Sequence, residues 1–514
     1  MKSPEILDQG LDNDGQPRYS QRYKAYVLLI LTGVYTLNFV DRQILVIIQE
    51  SIKAELGLSD TQLGLLTGLA FALFYVTLGI PIARYADNNN RKNVVSVALM
   101  VWSAMTAISG LVTNYIQLLL ARIGVGVGEA GGSPPAHSMI SDYFPAHQRA
   151  TALSIYSVGI YIGILTGYSV GGWIDATYGW RMTLFALGIP GILYAFLVFF
   201  SVKEPPKGLS DVKVLRRETK TEKSEASFWD VVKILLSKKT FVFLSLACGL
   251  HTFGSYGVGN FSAPFLARVH EMPVEQIGVF LGLASGFGGI IGTFAGGFLA
   301  DKFGRKDLRW YLWIPIIVGI INYVPSYFAF FADDTTVVLI MLSFTALLTA
   351  LFLGPALAVT HNLVGAKMRA LASAILFLVL NLIGLGFGPL TIGFISDLLQ
   401  ESYGNESLRY AFCSTFVTTA FSLVFFYLAS KHYRSEALVE ETPTMEKESG
   451  GSDMKAILQI ILGAFLLFIV GFFFLQTALA GINVMAMATW ILITIAAIFA
   501  GGVYFVSKGI IHGK

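Results

Sequence analysis

Long apolar runs repeat along this chain of 514 residues and restrict what it can fold into. An α-helix needs about 20 apolar residues to cross the hydrocarbon layer of a membrane, and each run reaches that length. Backbone groups in lipid must hydrogen-bond within their own segment, so the runs predict helices. They lie near residues 24–48, 61–86, 93–113, 115–140, 150–174, 181–202, 240–267, 275–299, 309–331, 335–363, 369–398 and 407–430.

The composition agrees with an all-α protein that crosses the membrane many times. Charged residues make up 13% of the chain, whereas about 25% is usual in soluble proteins. Cys248 and Cys413 are the only cysteines, so we expect neither a disulfide framework nor a cysteine metal site. Because no nucleophile–base pair has a suitable spacing, we expect no enzyme activity, and we also expect no cofactor and no nucleic-acid partner.

An internal repeat divides the chain into two similar parts. Residues 83–92 are a degraded copy of residues 297–306, and Gln62 matches Gln276 at the same offset. The repeat predicts two pseudo-symmetric halves of six helices, residues 24–202 and 240–430. Residues 203–239 join them, either as an ordinary charged linker or with a short helix on the membrane surface.

The distribution of Lys and Arg predicts the orientation. Basic residues concentrate in alternate connections, which places residues 1–23 as a cytoplasmic tail and the 203–239 linker in the cytoplasm of a cell membrane protein. Both copies of the repeated motif then face the same side. Parallel repeats of this kind are typical of transporters whose binding site lies between the halves.

Beyond residue 430 the pattern changes. Residues 431–453 are a polar linker that contains Gly450-Gly451-Ser452. Residues 454–514 hold two further apolar runs, near 456–479 and 483–506, without a counterpart in the repeat. They are either a natural two-helix extension or a fused appendage, and we favour the appendage because the junction resembles an engineered joint.

The repeated motif carries a family resemblance. Gly297-x-x-x-Asp301-Lys302-x-Gly304-Arg305-Lys306 and its copy with Asp87, Arg91 and Lys92 resemble the signature of the major facilitator superfamily, as do Arg122-x-x-x-Gly126-x-Gly128 and Gly179-Trp180-Arg181. The resemblance implies the major facilitator fold. It also implies that the two motif copies form a gate on the cytoplasmic side, closed when the protein is open outward.

A narrower resemblance is to the Spinster branch, whose members export lysolipids and sphingosine phosphate. It rests on Asn90-Arg91-Lys92, Gly126-Val127-Gly128-Glu129-Ala130 and Ile140-Ser141-Asp142 followed by Phe144, and it implies a bacterial homologue. The first motif copy departs from the superfamily pattern at Ala83, Asn88 and Asn90. Tyr168 stands where the antiporter motif of the superfamily has proline, so the direction of transport stays open.

Four charged residues lie inside predicted spans of the first half, where each costs about 2.5–3.5 kcal/mol to insert. These are Asp41 and Arg42 in the first span and Arg122 and Glu129 in the fourth. We predict a proton relay in which Glu129 is the main proton site and Asp41 the second. Arg42 and Arg122 would bind an anionic headgroup or pair with these acids. The alternative is a static ion-pair lock between the two spans.

The second half has no such charge pair and offers mainly apolar wall, which favours an amphipathic substrate. His251 and Asn260 in the seventh span, with Asn38 in the first, are predicted to line the cavity. His251 contacts a headgroup, titrates, or is simply a satisfied interior histidine.

We therefore expect a secondary active transporter with alternating access, acting as a monomer among membrane lipids. It would move an anionic amphiphile such as a lysophospholipid or a sphingosine phosphate-like lipid, with H⁺ as the coupling ion. Two alternatives remain: a proton-coupled carrier of small organic anions, and a non-transporting receptor or scaffold with the same fold.

Overall fold

The computed structural model describes residues 19–209, 228–365 and 368–438. We call the described residues up to 209 the N-terminal half and those from 228 to 438 the C-terminal half. Most of the predicted tail, part of the 203–239 linker, and the segments 439–453 and 454–514 lie outside the described residues. The expectation of a two-helix extension or appendage is therefore left as a prediction.

The N-terminal half consists of helices. Their bounds are α1 Gln21–Ile47, α2 Gln49–Leu56, α3 Asp60–Gly64, α4 Ala70–Asn88, α5 Arg91–Ser109, α6 Tyr115–Glu129, α7 Ser133–Tyr143, α8 Ala146–Tyr178 and α9 Trp180–Ser201. A wider, π-helical turn at Leu65–Leu69 joins α3 to α4.

The C-terminal half is helical as well. Its helices are α10 Phe228–Ser237, α11 Lys239–Arg268, α12 Val274–Gly304, α13 Trp310–Phe331, α14 Thr335–Thr349, α15 Leu353–Asn362, α16 Arg369–Leu380, α17 Gly388–Tyr403, α18 Ser407–Ala411 and α19 Cys413–Glu436. A second π-helical segment, Asn381–Phe387, joins α16 to α17.

Within the described ranges, ten helical stretches are long and apolar enough to cross a membrane. Two features explain why there are ten such stretches where twelve apolar runs were predicted. The run near 115–140 is broken into α6 and α7, because Gly131 and Gly132 precede Pro134 and Pro135 at the start of α7. The last two runs merge into one stretch, Leu371–Glu436, which turns at Gly404 with a φ of 54°.

Local sequence determines where several helices begin. Ser20, Asn90 and Asn114 each accept a hydrogen bond from the backbone N–H three residues later, and Ser59 forms a capping box with Gln62. Asn90 is one of the departures in the first motif copy. Its role as the cap of α5 gives this departure a structural reason.

The two ends of the bundle can be told apart by their contacts. At the N-terminal face, where α1 begins, the Tyr23 hydroxyl donates to Ser201 O. At the opposite face α11 ends at Arg268, beside Glu50 and Asp60 of the N-terminal half. The two halves therefore meet closely at the opposite face.

Glycines allow this approach of backbones. A Cβ atom at Gly278 of α12 would meet Tyr168 O of α8, and one at Gly64 would meet Pro389 O of α17. A Cβ at Gly393 would meet Asp60 O in the same way. Small residues are the usual means of bringing helices together in membranes.

Three glycines of α8 allow the same close approach of backbones within the N-terminal half. Gly159, Gly163 and Gly167 lie against the backbone of α1 at Thr32, Thr36 and Val40. Their spacing of four residues keeps them on one face of α8. Close packing of α1 on α8 thus gives these three glycines a structural role.

We expect Gly393→Ala to destabilise this arrangement by about 1–3 kcal/mol, because the added methyl group has no room against Asp60 O. The measurement is the thermal unfolding midpoint of the purified protein. Gly259→Ala is the matched control, since a Cβ there meets nothing within 4 Å. Equal midpoints for the two variants would contradict the proposed tight contact.

Candidate binding and proton site

A buried cluster of polar side chains lies inside the N-terminal half. Helix α1 supplies Asn38, Asp41 and Arg42, and α6 supplies Arg122 and Glu129. Asn38, Asp41, Arg122 and Glu129 are between 1% and 4% exposed. The four charged residues predicted from the sequence are therefore brought together.

Arg42 and Glu129 form the ion pair at its centre. Arg42 Nε donates to Glu129 Oε2 at 2.8 Å, and the two side chains are 15% and 0% exposed. Glu129 is the last residue of α6, directly before the break at residues 130–132. Glu129 thus lies at the end of a helix, directly before the turn at residues 130–132.

The Arg42 guanidinium lies among three aromatic rings. It is 5.1 Å from the centre of the Phe39 ring, 5.0 Å from Phe71 and 4.9 Å from Tyr75. These distances are in the range of cation–π attraction. Of the three nitrogens of the Arg42 guanidinium, only Nε donates a hydrogen bond to another described residue, so neither terminal nitrogen has an acceptor there.

Asp41 and Arg122 lie next to this pair but do not hydrogen-bond to each other within the described residues. Arg122 interacts electrostatically with both Asp41 and Glu129. Asp41 faces Thr106 and Trp102 of α5. The Arg42–Glu129 pair therefore joins the first and fourth predicted spans, α1 and α6.

Several polar atoms of the cluster are buried without a hydrogen-bond partner. They are Asn38 Oδ1, Asp41 Oδ1, Arg122 Nε and Glu129 Oε1, whereas Trp102 and Thr106 face Asp41. Buried polar groups in native proteins almost always have a partner. These atoms could accept or donate hydrogen bonds to water or to a bound molecule.

Sequence reasoning missed four members of this site: Phe71, Tyr75, Trp102 and Thr106. Aromatic residues occur throughout the apolar runs, so nothing in the pattern marked Phe71 or Tyr75 as neighbours of Arg42. Trp102, which is fully buried, reads as an ordinary core residue until its contact with Asp41 is known.

The predicted cavity residues of the second half are separated. His251 forms a 2.9 Å hydrogen bond through Nε2 with Thr349 O and packs on Phe352, with ring centres 4.3 Å apart. Asn260 donates to Tyr256 O in its own helix, while its backbone oxygen accepts from Gln49 at 2.8 Å. His251 lines a cavity of the C-terminal half, whereas Asn260 lies at the contact between halves.

An ionic network joins the two halves at the opposite face. Arg268 of α11 donates to Glu50 at 2.9 and 2.6 Å and to Asp60 at 2.7 and 2.8 Å. Asp60 is fully buried and also accepts from Lys53 at 2.6 Å and from Ser396 at 2.7 Å. Each oxygen of Asp60 thus has two donors, and Arg268 and Ser396 belong to the other half.

Asp397 of α17 completes this network. Its carboxylate accepts from the backbone N–H groups of Asp60 and Thr61 at 2.9 and 2.8 Å, and from the Thr61 hydroxyl at 2.5 Å. A carboxylate at the first turn of a helix is favoured by the helix dipole. The C-terminal half therefore caps a helix of the N-terminal half.

The repeated motif lies at the N-terminal face. Asp87 and Asp301 are exposed, and Asp301 accepts from Tyr311 in its own half at 2.8 Å. Arg91 is buried and pairs with Asp142 at 2.5 Å and Glu204 at 2.7 Å, both in the N-terminal half. The described polar contacts of these motif residues stay within their own halves.

The remaining motif residues have similar surroundings. Lys92 donates to Phe199 O at 3.1 Å. Lys302, Arg305 and Lys306 are exposed, Gly304 is packed against Tyr311, and a Cβ at Gly297 would meet nothing within 4 Å. The gate role implied by the family resemblance stays a prediction.

Comparison with known proteins identifies related transporters. The pattern of the Major Facilitator Superfamily matches residues 31–329. An MFS-type efflux pump of Mycolicibacterium smegmatis is 31% identical, over 86% of this chain and 100% of the relative. A sphingosine-1-phosphate transporter of Danio rerio is 26% identical, over 79% of this chain and 84% of the relative. A hexuronate transporter of Bacillus subtilis is 28% identical, over 56% and 66%.

A solved structure has the same fold. It is a bacterial homologue of the human lysosomal transporter Spinster in an inward-facing conformation, with a TM-score of 0.73 and 32% identity. The match covers 82% of this chain and 99% of that chain. The resemblances to the Major Facilitator Superfamily and to its Spinster branch, which short motifs predicted, are thereby confirmed.

We expect Arg268→Ala to open the opposite face, since breaking a buried ion pair costs about 3–5 kcal/mol. Spin labels at Ala54 and Glu401, with Cys248 and Cys413 replaced by Ala, would report a longer distance between the halves. Arg181→Ala is the control, because Arg181 pairs with Glu55 at 2.6 Å within one half. An unchanged distance in Arg268→Ala would show that the glycine contacts alone hold this face closed.

Proposed function

Because this chain belongs to the Major Facilitator Superfamily and resembles its Spinster branch, we propose that it moves an anionic amphiphile across the membrane with proton coupling. The observation that carries this proposal is the Arg42–Glu129 pair. In this pair, the two terminal nitrogens of Arg42 have no acceptor among the described residues, and the buried carboxylate of Glu129 would compete with an anionic substrate for the guanidinium. Anion binding and proton uptake are therefore linked through one side chain.

The proposed cycle uses this competition. An anionic headgroup binds the terminal nitrogens of Arg42, and the guanidinium turns away from Glu129. Glu129 loses its charge partner and takes a proton from water, because an unpaired carboxylate is costly in a buried site. When the headgroup leaves, Glu129 returns the proton to water and pairs with Arg42 again. Asp41, next to Arg122, is the second proton site.

Alternating access supplies the movement. We infer a core of six plus six membrane helices, with the N-terminus in the cytoplasm of a cell membrane. The contacts of Arg268, Asp60 and Asp397 join the halves at the opposite face, which supports a state whose path would open at the N-terminal face, the cytoplasmic side in the proposed orientation. The gate motifs around Asp87 and Asp301 would close the N-terminal face when these contacts break.

The choice of substrate rests on the walls around the charged centre. Aromatic rings surround Arg42, and Tyr256 of the C-terminal half lies within electrostatic range of it. A chemically mixed surface of this kind suits an amphiphile such as a lysophospholipid or a sphingosine phosphate-like lipid. The sphingosine-1-phosphate transporter among the relatives supports this choice, while the hexuronate relative supports a small organic anion as the alternative.

We expect Glu129→Gln to abolish substrate accumulation driven by a pH gradient, because the amide cannot carry the proton. Exchange of substrate without a gradient should continue. The measurement is flux in proteoliposomes with an internal pH indicator. Glu55→Gln is the control, since Glu55 lies at the surface of the opposite face. Full gradient-driven accumulation by Glu129→Gln would refute the proton role and favour a static lock.

A comparison of substrates tests the anionic amphiphile. We expect lysophosphatidate to be transported and the uncharged monoacylglycerol and a hexuronate to be transported at least about tenfold more slowly, since each lacks one half of the recognition. Arg42→Ala should reduce lysophosphatidate transport in the same assay. Transport of the hexuronate alone would identify an organic-anion carrier, and transport of none of the three would favour a receptor or scaffold.

A further inference from the structure

A histidine lies between the charged cluster and the N-terminal face. His137 belongs to α7, eight residues beyond Glu129 in the chain, and it is exposed although it lies within the predicted fourth span. Ionisable side chains within membrane spans almost always face the interior of the bundle or a water-filled space. The surroundings of His137 therefore decide which ligand it can meet.

A row of aromatic rings connects His137 with Arg42. The centre of the imidazole lies 5.0 Å from the ring centre of Tyr156, and Tyr156 stacks on Tyr35 at 4.4 Å. The ring of Tyr35 is 5.3 Å from that of Phe39, which in turn is 5.1 Å from the Arg42 guanidinium. Spacings of four and three residues place the last three on one face of α1. His137 thus adjoins the aromatic row on the face of α1 that carries Arg42.

This face of α1 is directed towards the C-terminal half. Tyr256 of α11 interacts electrostatically with both Tyr35 and Arg42. Because the halves meet at the opposite face, the space between them would open at the N-terminal face. Tyr35 precedes Arg42 by seven residues on a helix that begins at the N-terminal face, so it lies about 10 Å nearer to that face. His137 therefore lies beside the route from the N-terminal face to Arg42.

The acids nearest to His137 in the chain already have partners. Glu129, which precedes it, is paired with Arg42 of α1. Asp142, which follows it, is paired with Arg91 of α5. His137 itself forms no hydrogen bond or ion pair with the described residues.

The other titratable side chains around this part of α7 are phenols, which carry no charge at neutral pH. They are Tyr35 of α1, Tyr75 of α4 and Tyr156 of α8. A protonated imidazole of His137 would therefore be a cation without an opposite charge among its described neighbours. An anion is the ligand that such a group fits.

We propose that His137 is an entry subsite for the anionic headgroup, which contacts it between the cytoplasm and Arg42. This role depends on the anionic substrate of the proposed function, and it adds a second cation about 10 Å from Arg42 along the bundle. An imidazole gains its proton as the pH falls from about 8 to 5, so the subsite attracts anions more strongly in mildly acidic solution. Attraction of this kind speeds the arrival of a ligand more than it strengthens the final complex.

Protection of His137 from acylation tests the subsite directly. Diethyl pyrocarbonate acylates accessible neutral imidazoles, and mass spectrometry locates the product in the full chain in lipid nanodiscs. The ligand is lysophosphatidylglycerol, whose phosphodiester keeps one negative charge throughout the pH range used. At twice its Kd, we expect it to slow the labelling of His137 about threefold, and uncharged monoacylglycerol to have no effect.

An internal control and a variant complete the labelling experiment. His432 lies at the N-terminal face, where it stacks on Phe243 within the C-terminal half, and it should be labelled equally with and without ligand. In Arg42→Ala, protection of His137 should persist at a higher ligand concentration, because the imidazole contacts the headgroup by itself.

Transport gives a second readout that a purely structural role would not move. At pH 6, His137→Gln should raise the KM for lysophosphatidylglycerol about two- to fivefold with little change in kcat, whereas at pH 8 it should match the wild-type protein. His137→Arg, which is charged at both pH values, should keep the KM low at pH 8 as well. The measurement is initial flux in proteoliposomes at the two pH values.

Three outcomes would overturn the subsite. Equal labelling of His137 with and without lysophosphatidylglycerol would show that the headgroup does not contact it. Loss of all protection in Arg42→Ala would show that only a ligand held by Arg42 covers the histidine. An equal rise in KM at pH 6 and pH 8 would indicate a structural role. Protection of His137 without any transport would instead refute the proposed function and leave the anion subsite in place.

Discussion

The ion pair between Arg42 and Glu129 is the interaction around which the N-terminal half is arranged. Two charges taken out of water repay the loss of hydration only with good geometry and further contacts. Here the guanidinium has three aromatic neighbours, and the carboxylate lies at the end of α6, where the chain breaks before Pro134. The break in α6 and the ring positions are thus part of how this pair is accommodated.

The contact between the halves depends on a different combination. Glycines such as Gly278 and Gly393 let backbones approach, which is a matter of shape and is indifferent to salt or protons. The network of Arg268, Asp60 and Asp397 adds directed hydrogen bonds that water would replace in the proposed opening of this face. Close packing fixes the relative position of the two halves at this face, and in the proposed cycle the ionic network would make the contact reversible.

The interiors of the two halves differ in their content of charged residues, although the sequence repeat relates the halves. Buried charges gather near Glu129 in the first half, while a cavity inside the second half, lined by Asn322 and His251 among others, has no Asp, Glu, Lys or Arg among its described lining residues. A molecule with an ionised end and an apolar end meets both kinds of surface where the halves face each other. Tyr256, which lines this cavity and also packs against the core of the first half, lies at this transition.

Much of the fold could be predicted because membrane helices obey strong local rules. Apolar runs and caps such as Ser59 place helix ends, and the cost of burying charge singles out Asp41, Arg42, Arg122 and Glu129. The break after Glu129 was not predicted, since Gly131 and Gly132 are common in continuous membrane helices. The partners of Arg268 were not predicted either, because charges near helix ends usually indicate only the ends of spans.

The sequence by itself determined the helical architecture, the repeat, the family and the identity of the buried charges. The helices and the buried charges follow from the cost of placing backbone or charge in lipid, whereas the repeat and the family follow from matching motif residues. Only the tertiary structure decided that Arg42 rather than Arg122 pairs with Glu129, and that Asp60 and Asp397 meet across the halves. Such choices depend on distances between segments far apart in the chain, and hydropathy contains no measure of those distances.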